Sequence, residues 1–135
     1  MKKRIVFLMC LCFVGMSAMA AAPTCEDHGG SIITANNGTK FCKSDKAMNW
    51  WSAFAWCESQ NRTLAEFSKM CPDTQQYPTE TTGDCPNLQE LDDDVWVWSS
   101  LAWSSQSALL VNLSSGAVSR RGRTDSYGYH HALCE

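Results

Sequence analysis

The sequence predicts an α+β fold, and three observations carry that prediction. An apolar stretch without Gly or Pro has helical period. Segments rich in β formers lie on either side of it, closed by turn residues. An even number of cysteines follows an export signal. The order is hairpin, helix, long loop, then antiparallel strands, which places helix and sheet in separate blocks rather than in alternation.

The elements follow in chain order. Lys2, Lys3 and Arg4 precede the apolar run IVFLMCLCFV (5–14), and Ala18-Met19-Ala20 offers an A-x-A cleavage site. This is the layout of a secretory signal peptide, and the apolar run is too short to span a bilayer. Residues 1–20 are therefore expected to be removed, taking Cys10 and Cys12 with them, and residues 21–135 to form one domain. No stable membrane insertion is expected after cleavage, and the product is secreted, periplasmic or at the cell surface. Ser31-Ile32-Ile33-Thr34, the turn Asn36-Asn37-Gly38 and Thr39-Lys40-Phe41-Cys42 read as a hairpin, which brings Cys25 close to Cys42. Ser44 or Asp45 can cap a helix running from Lys46 to about Gln60. Its apolar positions 47, 50, 51, 54, 55 and 57 predict burial of one broad side. Thr63-Leu64-Ala65 is short and extended, and Glu66–Met70 suits a brief second helix.

Residues 72–94 hold Pro72, Pro78, Gly83 and Pro86 among many polar residues and read as a long surface loop, with Leu91-Asp92-Asp93-Asp94 at its exit. Loops of this length are usually functional or mobile. A Cys71–Cys85 bond would close most of it, worth about 3 kcal/mol in the chain-entropy account. Strands are predicted at 95–100, at 108–113 and 117–119 around a Ser-Ser-Gly turn, and at 129–134.

Composition excludes several functions. Loss of Lys2, Lys3 and Arg4 leaves 8 Lys/Arg against 14 Asp/Glu, a net charge of −6, which argues against a nucleic-acid partner. The remaining cysteines, Cys25, Cys42, Cys57, Cys71, Cys85 and Cys134, read as three disulfides, and their spacing alone leaves the pairing open. No C-x-x-C is present, which argues against thioredoxin-like redox chemistry, zinc ribbons and haem attachment. Cys57 with His130 or His131 would be a nucleophile and base only if it were a free thiol. His130 and His131 are adjacent on a strand and face opposite ways, so they do not converge on zinc.

The layout resembles the long form of the C-type lectin-like domain. Trp50 or Trp51, Ala53 or Ala55, and Cys57 match its W-x-x-A-x-x-x-C helix. Leu64-Ala65 follows the helix, Val95-Trp96-Val97-Trp98 stands for its W-I-G-L strand, and Cys134-Glu135 matches its end. The C-terminal third is similar to the related domains of bacterial collagen-like adhesins, through Trp98-Ser99-Ser100, the run Val111-Asn112-Leu113-Ser114-Ser115-Gly116-Ala117-Val118, and Cys134. The resemblance implies a C-type lectin-like fold with one main helix, and a Cys57–Cys134 bond beside Cys25–Cys42 and Cys71–Cys85. The family's calcium motifs Glu-Pro-Asn, Gln-Pro-Asp and Trp-Asn-Asp are absent, as is its inner C-terminal cysteine pair. The usual calcium-dependent sugar site therefore does not carry over.

Two groups remain as candidate sites. Trp103, Arg120, Arg121, Arg123, Tyr127 and Tyr129 form a basic and aromatic patch suited to sulfated or carboxylated ligands, since guanidinium binds such groups bidentately. Glu90, Asp92, Asp93 and Asp94 offer hard oxygens for Ca²⁺, the one cofactor considered, in a region where some related lectin-like domains bind structural calcium. The expected function is a non-enzymatic module that binds a glycan or protein ligand. The alternative is a structural or assembly subunit of a bacterial surface complex. Enzymes of the same broad fold are much larger and need cysteines that this chain does not place.

Overall fold

A computed structural model describes residues 24–74, 76–125 and 130–135. The expected signal peptide (1–20) and two of the candidate residues, Tyr127 and Tyr129, lie outside them. The main elements are β1 (Gly30–Thr34), β2 (Lys40–Ala47), α1 (Trp50–Glu58), α2 (Phe67–Met70), β3 (Trp96–Ala102), β4 (Ser107–Asn112), β5 (Val118–Gly122) and β6 (His130–Cys134). The six strands form one sheet in the order β1-β2-β6-β3-β4-β5. All neighbours are antiparallel except β3 and β6. The α+β prediction holds.

Strand alternation gives the sheet two apolar faces. On the helix face, Cys42, Trp98, Leu110, Ala132 and Cys134 pack against Trp50, Ala53 and Cys57 of α1. On the loop face, Phe41, Val97, Leu109, Val111 and Leu133 pack against Phe67, Met70, Leu88 and the Cys71–Cys85 bridge. At nine residues α1 is too short to persist alone, so burial of its 50/53/57 stripe and the Cys57–Cys134 bond hold it. That stripe settles the register left open by the sequence motif: Trp50, Ala53 and Cys57 are buried, while Trp51 and Ala55 are exposed.

All three expected disulfides are formed: Cys25–Cys42, Cys57–Cys134 and Cys71–Cys85. Three such bonds belong to an oxidising, extracytoplasmic environment. Among the described residues no helix is long and apolar enough to cross a membrane.

Three expectations change. The predicted helix start at Ser44–Lys46 is strand: β2 runs on to Ala47 because Ser44 pairs with β6. Its hydroxyl accepts the Ala132 N–H at 2.9 Å, and its carbonyl accepts Nδ1–H of His131 at 2.7 Å. The helix begins at Trp50 instead, where Asn49 accepts the Ser52 N–H at 2.8 Å. The buried side of α1 is narrower than the apolar spacing suggests, because residues 51 and 55 point off the sheet. The segment 72–94 is a layer as much as a surface loop: Cys85 and Leu88 are fully buried. Asn87 joins the layer to the rest by donating to the Met70 carbonyl and accepting the Asn37 N–H.

Candidate functional site

The end of the sheet formed by the β3–β4 turn and the end of β5 concentrates the unusual surface chemistry. Three large apolar side chains are well exposed among the described residues: Ile32, Trp51 at 55% and Tyr77 at 62%. The two aromatic ones both lie here, on opposite faces of the sheet.

On the helix face, an open groove of about 530 Å³ is lined by Trp51, Ser104, Ser105, Gln106, Ser107, Gly122, Arg123 and Thr124. Its geometry is set by backbone bonds. The first N–H of α1, on Trp50, donates to the Arg123 carbonyl at 3.1 Å, and the Arg123 N–H donates to the Gln106 carbonyl at 2.8 Å. These bonds fix the helix start, the end of β5 and the hairpin tip to one another. The Arg123 guanidinium lies 4.5 Å from the Trp50 ring and 5.5 Å from that of Trp51, and its Nη2 donates to the Ser104 carbonyl. Cation–π contact and this bond hold Arg123 upright beside Trp51. Trp50, buried beneath, stands edge-on to Trp51 at 4.9 Å. The groove thus offers an aromatic face, a guanidinium, several hydroxyls and an amide, with no carboxylate in its lining.

On the loop face, Trp103 is half-buried. Arg120 lies over its ring at 5.8 Å, and Tyr77 from the long loop stands edge-on to it at 6.0 Å. Arg121, on the opposite face of β5, is engaged across the edge: its Nη1 donates to Ser119 Oγ at 2.9 Å and pairs with Glu80 of the long loop at 3.4 Å. Glu80 also accepts from the Ser119 hydroxyl at 2.5 Å, and that bond holds its carboxyl below the usual 4.5, with Arg121 assisting. The predicted patch is therefore divided. Trp103 and Arg120 come together with Tyr77, while Arg123 joins Trp51. The sequence reading missed both exposed aromatic partners. In the sequence Trp51 falls among the apolar positions of the helix, and Tyr77 lies in a polar loop.

The acidic candidates lie elsewhere. Glu90, Asp92 and Asp93 border a shallow depression of about 500 Å³ with Leu91 and Ser114. Asp92 pairs with the buried Lys43 at 3.3 Å and accepts the Asp93 N–H. Asp94 accepts from the Asn112 side chain at 3.1 Å. Among the described residues no three or more His, Cys, Asp or Glu side chains converge in a way that could hold a metal ion. His130 is buried against Trp98 at 5.3 Å, and burial, with help from Arg121, holds its pKa below the ordinary 6.5. His131 is committed to Ser44. Cys57, bonded to Cys134, has no thiolate to offer. No protein-family model and no curated protein matches this chain, so the chemistry of the site has to be read from its own geometry.

Proposed function

We propose that the chain is an exported, non-enzymatic binding module of the C-type lectin-like fold that recognises a glycan through the Trp51–Arg123 groove, without the family's usual calcium motif. One observation carries the functional reading: Trp51, more than half exposed, sits beside a fixed guanidinium in a groove lined by hydroxyls and an amide. An exposed aromatic face with a few convergent polar groups suits a ligand that has one apolar face and a polar rim, and a sugar ring has that character. The reading of the fold is supported by the buried Trp50/Ala53/Cys57 stripe and by the bond from α1 to β6. The reading of an exported protein is supported by the disulfides together with the N-terminal signal pattern.

The test is a glycan array probed with the wild type and Trp51→Ala, each with and without EDTA. Binding is expected to survive EDTA and to fall about tenfold or more in the variant, the loss of roughly one stacked aromatic. Binding that vanishes with EDTA would instead return attention to Glu90–Asp94. Unchanged binding by the variant would remove the groove from the site.

The assembly reading has its own observation. β1 is an uncharged edge strand whose Ile32 is 40% exposed, and such an edge is a template for strand addition. Light scattering of the wild type and Ile32→Lys decides it. A concentration-dependent oligomer lost in the variant supports this second reading, and a monomer at all concentrations removes self-assembly from it.

A further inference from the structure

We propose that the ligand is a linear acidic glycan that crosses the outer edge of β5 and is held on both faces of the sheet, by Trp51 and Arg123 on one side and by Tyr77, Trp103 and Arg120 on the other. This rests on the groove reading above and adds to it a second subsite and a ligand class.

The path is defined by β5 itself. It is the last strand of the sheet. Arg120 stands opposite Leu109 and so faces the loop side, whereas Arg121 stands opposite Ala108 and faces the helix side. Arg123 continues past the strand end into the helix-side groove. From Arg120 to Arg123 the chain advances about 10 Å at strand rise, so the two aromatic platforms are close neighbours around one edge.

Among the described residues that edge is covered only in part. The long loop caps it at Val118, whose carbonyl accepts the Glu80 N–H at 2.9 Å and whose N–H donates to Asp84 at 3.3 Å. Residues 119 and 121 pair inward with β4 in the same phase as Arg123, which donates to Gln106. The N–H groups of Arg120 and Gly122 therefore face outward between the two platforms, while the Arg120 carbonyl accepts from Arg121 Nη1 at 2.7 Å and the Gly122 carbonyl from the Asp125 N–H at 3.0 Å.

Charge selects the class of ligand. The chain is acidic as a whole, with formal net charge −3, so a densely charged duplex is repelled by most of the surface. Arg121 is offset by Glu80 and the Asp125 carboxylate lies beside Gly122, which leaves Arg120 and Arg123, among the described residues, as the cations beside the two aromatic platforms. Two guanidiniums, each beside an aromatic ring, suit a polymer that alternates ring faces with carboxylates or sulfates. A single sugar would fill one platform. A chain that rounds the edge would engage both, and the second contact would act at high effective concentration.

The experiment is calorimetric titration at low salt with three oligosaccharide series of increasing length: oligogalacturonates for carboxylate, heparin-derived oligomers for sulfate, and cello-oligosaccharides as neutral chains. At least one acidic series is expected to tighten about tenfold or more from dimer to octamer, and the neutral series is expected to stay flat. Which acidic series responds names the anion. Tyr77→Ala is expected to return the octamer to near the dimer's affinity and leave the dimer unchanged, whereas Trp51→Ala weakens both. Both side chains are largely exposed, and circular dichroism verifies that the variants fold. An octamer no tighter than the dimer, or one indifferent to Tyr77→Ala, overturns the two-face proposal and leaves the groove reading intact. Equal tightening by the neutral series overturns the acidic class. Equal competition by single-stranded oligothymidylate overturns the glycan assignment. Failure of every saccharide to bind overturns the groove reading and the proposal together.

Discussion

Trp50 and Trp51 are neighbours with opposite roles, and the difference can be measured. Trp50 is buried against the sheet, and its indole N–H donates to the Ser99 carbonyl at 2.8 Å. Trp50→Ala removes a large core side chain and strands that carbonyl, so a loss of about 3–5 kcal/mol is expected. Trp51→Ala removes an exposed ring and should change stability by about 0.5 kcal/mol or less. Urea unfolding of the two variants separates them; equal losses would mean that Trp51 also belongs to the core. His130 makes a second prediction at this scale. Burial disfavours its imidazolium and places its folded pKa below 6.5, with Arg121 and His131 acting the same way against Asp125. The unfolded chain therefore takes up a proton that the folded chain refuses. This contribution is fully present above pH 6.5 and is lost as pH falls from 6.5 through the depressed folded value. Glu80, held below 4.5 by Ser119, acts only at lower pH: its contribution is present above 4.5 and lost as pH falls through its folded value. The unfolding midpoint of His130→Gln should accordingly depend less on pH between 6.5 and 5 than the wild type's, with the drop below 4.5 unchanged. An identical slope in the upper window would refute the assignment.

The β4–β5 hairpin shows how one element carries its neighbours. Asn112 Oδ1 accepts the N–H groups of Ser114 and Ser115, each at 2.8 Å, which builds the turn. Gly116 then takes φ 70°, and a Cβ there would lie 2.8 Å from the Cys85 carbonyl. Gly116→Ala combines a left-handed backbone with a clash against the chain, and it should cost about 2–4 kcal/mol. It should also detach the long loop, seen as faster proteolytic cleavage within residues 72–84. Stability lost without faster cleavage would mean that Gly116 serves only the turn. This element was legible because its signals are local: β formers on both sides of an Asn-Leu-Ser-Ser-Gly turn. The end of β2 was not. Ser44 has the local chemistry of a helix cap, but its hydroxyl is taken by Ala132, a strand partner 88 positions away. The site was half legible for the same reason. The arginines and Trp103 stand out in composition, whereas the pairing of Arg123 with Trp51 depends on bonds between residues far apart in sequence, among them the first N–H of α1 to the Arg123 carbonyl.

For the molecule as a whole, the three disulfides differ in reach, and the difference predicts their rank. Cys57–Cys134 joins residues 77 apart, against 17 for Cys25–Cys42 and 14 for Cys71–Cys85. Chain entropy alone assigns the long bridge about 4–5 kcal/mol and each short one about 3. Packing widens the gap, because Cys57 anchors a nine-residue helix to β6, between β2 and β3 in the sheet. Cys57→Ser/Cys134→Ser should therefore lower the melting temperature most and loosen α1 from the helix face. The groove would go with it, since the N-terminal turn of α1 carries Trp51 and caps Arg123. Cys71→Ser/Cys85→Ser should be milder and selective. It frees the loop that carries Tyr77, so binding of long acidic oligosaccharides should weaken while that of short ones persists. Melting curves and titrations on the two double variants test rank and selectivity together. If the loop variant melts lower, or weakens short and long ligands alike, the two platforms do not depend on separate supports.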